Sequence, residues 1–76
     1  MTKKELSGAL TEGQLRVGVT FNPSGNPLVD EIKNASAALI DLVMQSGADP
    51  RTNAIAATQI EQAAMWAVKA ITKPSN

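Results

Sequence analysis

The stretch Ser46-Gly47-Ala48-Asp49-Pro50 decides the fold. Gly47 suits the position just past a helix C-terminus, where a left-handed residue often closes the helix. Asp49 suits an N-cap, and Pro50 suits the first position of a new helix, where a missing N–H costs nothing. One helix therefore ends near Ser46 and another starts at Pro50, with almost no chain between them. Long helices joined by so short a turn must lie side by side and antiparallel. The fold class read from the sequence is all-α: an antiparallel αα-hairpin with a short N-terminal arm, assembling into a helical homo-oligomer.

Working back from the turn, the first long helix starts at Asn26, a good N-cap, followed by Pro27. Asp30 and Glu31 complement the positive end of its macrodipole. Leu28, Val29, Ile32, Leu39, Ile40, Leu42 and Val43 fall on one broad face with Ala35 and Ser36, while Asp30, Asn34, Asp41 and Gln45 fall opposite. Working forward, the second helix runs to about Thr72 and stops before Pro74. At 1.5 Å per residue the two helices are roughly 28 and 34 Å long.

Residues 1–20 form the arm and 21–74 the hairpin domain. Gly8, Gly13 and Gly18 interrupt helical patterning in the arm. One or two helical turns are expected over 2–10, and an extended segment over 15–21, LRVGVTF. The arm reads as a flexible segment that orders against a neighbour.

The second helix is apolar around most of its circumference. Ile55, Ala56, Ala57, Ile60, Ala63, Ala64, Ala67, Val68, Ala70 and Ile71 cover more than half of it. One partner helix shields about one stripe, so the remainder predicts self-association. Two-helix hairpins need such partners to build a core, and a closed homo-oligomer is the expected form.

Composition excludes much chemistry. The 76 residues hold no cysteine and no histidine, which removes disulfides, thiolate or imidazole metal sites and Ser-His-Asp triads. Seven Lys/Arg balance seven Asp/Glu, which argues against a general duplex nucleic-acid binder. No apolar run spans a bilayer and no signal segment follows Lys3 and Lys4, so no membrane association and a reducing cytoplasm are expected. The carboxylates are scattered, and Ser7, Ser24, Ser36 and Ser46 have no activating base. No catalytic residue, metal ligand or cofactor is expected, and the chain does not read as an enzyme.

The candidate binding residues gather before the first long helix. The loop Asn22-Pro23-Ser24-Gly25-Asn26 offers hydroxyl, amide and backbone donors beside a helix N-terminus. A phosphate cradle and an ordinary turn with an N-cap are both open readings, and the turn is the commoner one. Lys33 sits at the edge of the apolar face, where its stem can pack while its ammonium reaches a neighbour or a ligand. Phe21 can stack on a nucleobase or staple the chain entry to the helix. Trp66, beside the Ala-rich face, reads as core or interface packing. Arg16, Arg51, Lys69 and Lys73 are solvated charges singly, but symmetry could gather them around an anionic pocket.

Two segments carry a family likeness. NPLVDEIK (26–33), preceded by FNPSG, and EQAAMWAVKAITK (61–73) resemble the hairpin domain of phage anti-CBASS and anti-Thoeris sponge proteins. The second is the more specific, because Ala-Met-Trp-Ala-Val-Lys-Ala is not dictated by helix periodicity. The resemblance covers about residues 20–73. It implies a small helical phage protein, assembled as a hexamer, acting in the cytoplasm of the infected bacterial host. It implies binding of cyclic dinucleotides, cyclic trinucleotides or cyclic ADP-ribose isomers without cleavage. Lys33 then looks like the family's phosphate-contacting lysine, and Asn22 to Asn26 like the segment that closes over the ligand. The family also stacks an aromatic from the N-terminal arm on a base. This chain has no tyrosine, and Phe21 is the candidate for that place. Arg16, Lys69 and Lys73 are candidates for a basic trinucleotide pocket on a symmetry axis. Beside the sponge stand a helical homo-oligomeric scaffold or interaction module and a nucleic-acid or repressor-associated protein, the last disfavoured by the zero net charge.

Overall fold

A computed structural model describes residues 10–73. The described residues form three helices and no strand: α1 (Glu12–Val17), α2 (Pro27–Ser46) and α3 (Pro50–Thr72). Both long helices begin as their local sequence dictates. The Asn26 side chain accepts from Leu28 N at 2.9 Å, with Pro27 in the first turn. Asp49 accepts from Thr52 N at 3.3 Å and also from the Thr52 hydroxyl. α3 ends at Thr72, and Lys73 is extended, the backbone region favoured by a residue that precedes proline.

The hydrogen bond from Thr52 holds the Asp49 carboxyl below its usual value of 3.8. A depressed folded-state pKa gives a stabilising contribution that is complete above the unfolded value. It is lost as pH falls from there through the folded value. Asp49→Asn keeps a good cap without the titration. Acid titrations followed by circular dichroism should therefore show the wild type losing stability relative to Asp49→Asn below about pH 4. Parallel acid curves would show that the Asp49 charge adds nothing to stability.

α2 and α3 are antiparallel. Val29 near the start of α2 shares a depression with Val68 and Thr72 near the end of α3. At the other end, Asn53 in the first turn of α3 donates to the Gly47 carbonyl at 2.8 Å. Gly47 is not left-handed, contrary to its expected role: its φ is −74°. A Cβ there would lie 1.8 Å from Asn53 Oδ1, so a larger residue would displace the Asn53 side chain that donates to the Gly47 carbonyl.

The arm differs from its reading. Residues 15–17 are helical, not extended, because a capping box starts α1 and a glycine closes it. Thr11 Oγ1 accepts from Gln14 N, and Gln14 Oε1 accepts from Thr11 N. Gly18 takes φ 65°, and the bonds from Gly18 N to Leu15 O and Val19 N to Gln14 O complete a Schellman motif. The turns expected over 2–10 lie outside the described residues except for Leu10, which is not helical. α1 packs on α2 of its own chain. Gly13 is buried, and its N–H donates to Asp41 Oδ1 at 2.8 Å. Asp41, placed on the solvent face by periodicity, is thus the half-buried anchor of α1.

The core is a thin seam: Val29, Ala37 and Ile40 of α2 against Ala57 and Ala64 of α3. The buried stripe of α2 is narrower than its apolar face, even with α1 and α3 both packed against it. Leu28, Leu39 and Leu42 consequently stay exposed. Trp66, expected to pack, is 68% exposed in the protomer. The Cα positions extend over 44 × 33 × 12 Å, close to a single layer of helices.

Candidate functional site

Lys33 is the organising residue. It occupies the buried stripe itself, one turn after Val29 and one before Ala37, and is only 8% exposed. A buried ammonium needs acceptors. Its Nζ donates to the Gly18 carbonyl at 3.0 Å and to the Phe21 carbonyl. Gly18 O also accepts from Phe21 N at 2.9 Å, closing the turn that follows α1. Lys33 thus clasps residues 18–21 to α2. Its Nζ also lies 5.3 Å from the centroid of the Phe21 ring, within cation–π range. Two of its three N–H donors hold protein, which leaves one for another acceptor.

Phe21 is 68% exposed, so it does not staple the chain entry. Its ring belongs to two depressions that share Lys33 and Val68. The first, of about 290 Å³, is completed by Val17, Glu61, Ala64 and Met65. The second, of about 200 Å³, is completed by Asn22, Pro23, Ser24, Val29 and Thr72. An exposed aromatic, a lysine and apolar walls around a small concavity suit a flat, anionic ligand.

The loop is tied up with itself. Ser24 Oγ donates to Asn22 Oδ1 at 2.7 Å, and Gly25 N to the same oxygen at 3.1 Å. Asn26 N donates to Ser24 Oγ at 3.1 Å, and Asn22 Nδ2 to Asn26 O at 3.0 Å and Asp30 Oδ1 at 3.1 Å. Gly25 is left-handed, with φ 70°. The Asn22 amide, the Ser24 hydroxyl and the Gly25 and Asn26 N–H groups are engaged within the loop, and the Asp30 carboxylate sits on its edge. This is the turn-plus-cap geometry. The loop offers a ligand mainly the Pro23 surface and a rigid rim.

The cations fall in separate places. Arg16 Nε donates to Glu12 at 2.8 Å, and its Nη1 lies 3.5 Å from Glu61 Oε1. The hydrogen bond to Glu12, with the charges of Glu12 and Glu61, raises the Arg16 pKa. Within the protomer Arg16 therefore ties α1 to α3 and lies apart from Lys69 and Lys73. Those two line a shallow surface with Trp66 and Ala70, and Lys69 Nζ lies 5.1 Å from the Trp66 ring centroid.

Sequence reasoning missed Glu61, Met65 and Val68 as site residues. Their signal was present: 61, 64, 65 and 68 follow the i, i+3, i+4, i+7 spacing of one helix face. Among the described residues no group of carboxylates can hold a metal ion, and no helix is long and apolar enough to cross a membrane.

The profile of the family described as Acb2/Tad1, hairpin domain, matches residues 11–72, which includes α1 as well as both long helices. The chain belongs to that family. These are the anti-CBASS and anti-Thoeris sponge proteins, and membership implies cyclic-nucleotide sequestration in phage anti-defence at the level of the family. No curated protein and no solved structure matches the chain. The Acb2/Tad1 match runs through every element that builds the depressions around Phe21 and Lys33.

Proposed function

We propose that this Acb2/Tad1 hairpin protein captures cyclic oligonucleotide immune messengers, cyclic dinucleotides first among them, and holds them intact. The observation that carries the reading is the meeting of the exposed Phe21 ring with the Lys33 ammonium over an apolar-walled depression. Phe21 gives a base a stacking face, and Lys33 gives a phosphate a charge-assisted donor. Cyclic trinucleotides and cyclic ADP-ribose isomers share this pairing of flat base and phosphate.

The protein works as a homo-oligomer, with a hexamer as the proposed form. Leu42, Ile55, Met65 and Trp66 each expose half or more of their surface on a slab one helix thick. Apolar exposure on that scale is rare on a soluble monomer. Neither depression is large enough alone for a whole dinucleotide, and a neighbouring protomer would deepen it. The setting is the cytoplasm of an infected bacterium, where bound messenger no longer reaches its effectors.

Titration calorimetry against cyclic di- and trinucleotides and cyclic ADP-ribose isomers tests this, with chromatography of the ligand afterwards. Tight binding and unchanged ligand are expected. A ligand at a hundredfold over its Kd should also add about 2.7 kcal/mol to stability. Altered ligand would make the protein an enzyme. No binding across the panel would favour the scaffold reading, which the exposed apolar side chains also fit.

A further inference from the structure

We infer that Glu61 reads the base in the larger depression and selects guanine; this rests on the proposed capture of cyclic dinucleotides. The depression holds two charged groups, Lys33 and Glu61, on otherwise apolar walls of Val17, Phe21, Ala64, Met65 and Val68. Lys33 is largely occupied by the Gly18 and Phe21 carbonyls. Glu61 is held loosely: Arg16 reaches only its Oε1, at 3.5 Å, and the side chain stays 35% exposed.

A carboxylate repels phosphate and accepts hydrogen bonds without donating any. In an anion-binding cleft it must face the part of the ligand that carries donors. The Watson–Crick edge of guanine presents N1–H and the N2 amino group side by side, matching the two oxygens of a carboxylate. Adenine presents one donor beside the N1 lone pair, which would oppose the second oxygen. Cytosine pairs one donor with an acceptor, and uracil has one donor between two carbonyls. Guanine alone matches both oxygens. A base stacked on Phe21 with this edge toward Glu61 leaves its phosphate on the Lys33 side, away from the carboxylate.

The test compares cyclic di-guanosine and cyclic di-adenosine monophosphate, both 3′,5′-linked, by calorimetry on the wild-type, Glu61→Gln and Arg16→Gln proteins. The wild type is expected to prefer the guanine ligand by about tenfold or more, the scale of one bidentate base contact. Glu61→Gln should reduce that preference to about threefold or less, since its amide presents one acceptor and one donor. Arg16→Gln breaks the same ion pair but keeps the carboxylate, and should retain the preference. Equal wild-type affinities would overturn the inference while leaving capture intact. So would a preference that survives Glu61→Gln, or one lost equally in Arg16→Gln, since the effect would then belong to the α1–α3 tie. Binding of neither ligand, nor of any other messenger, would remove the capture reading, and this inference with it.

Discussion

Gly13→Ala should destabilise the protein by about 1–3 kcal/mol and loosen α1 from α2. Helix propensity alone gives the opposite sign, because alanine is favoured over glycine by about 1 kcal/mol in a helix interior. The steric argument wins here on distance. A Cβ at Gly13 would lie 2.2 Å from the Ala37 carbonyl oxygen and 2.8 Å from its carbon. Those are backbone atoms that no rotamer change can move. The helix must therefore back away, lengthening the 2.8 Å bond from Gly13 N to Asp41 and pulling Arg16 from Glu61. Urea denaturation of the variant, with amide exchange over 12–17, checks this. A more stable variant with protected α1 amides would show that α1 does not pack so closely on α2.

Lys33→Met should leave the hairpin helical, free the turn at 18–21, and weaken messenger binding more than tenfold. Methionine keeps an apolar stem of similar length in the buried stripe. What disappears is the ammonium, and with it the bonds to the Gly18 and Phe21 carbonyls. Hydrogen bonds to charged groups contribute about 1.5–3 kcal/mol each, so the turn loses its main tie to α2. Phe21 then samples many positions, and a stacking partner must be ordered at the moment of binding. Two readouts separate the roles. If Lys33 only touched phosphate, binding would fall while amide exchange at residues 18–22 stayed as in the wild type. Unchanged affinity would remove Lys33 from the site altogether.

The parts of this structure that were legible in the sequence are those fixed by near neighbours. Asn26-Pro27 and Asp49-Pro50 start α2 and α3 because a cap and a first-turn proline act within four residues. The short link between the helices then forces the hairpin. α1 was local too, yet Gly13 and Gly18 masked it by reading as interruptions. One permits close packing on Ala37 and the other is a left-handed cap. Thr11 and Gln14, three apart, carried the signal that outweighs them.

The site was legible at Phe21 and Lys33 as residue types, but not as a clasp. The bonds from Lys33 to Gly18 and Phe21 depend on where a turn after α1 crosses α2, which no periodicity encodes. The same holds for Asp41 under Gly13 and for Glu61 beside Arg16: both carboxylates looked solvated until α1 was placed. The loop 22–26 offered donors in the sequence, and only the structure shows that Asn22, Ser24 and Asn26 engage them.

Phe21 is the single phenylalanine of the chain, so biosynthetic 4-fluorophenylalanine labels the site alone. Fluorine NMR during titration with a cyclic dinucleotide tests the central claim most directly. Stacking predicts a shift of that one resonance by the ring current of the base, saturating at the calorimetric stoichiometry. A resonance that stays in place while calorimetry reports binding would contradict the site proposed around Phe21 and Lys33.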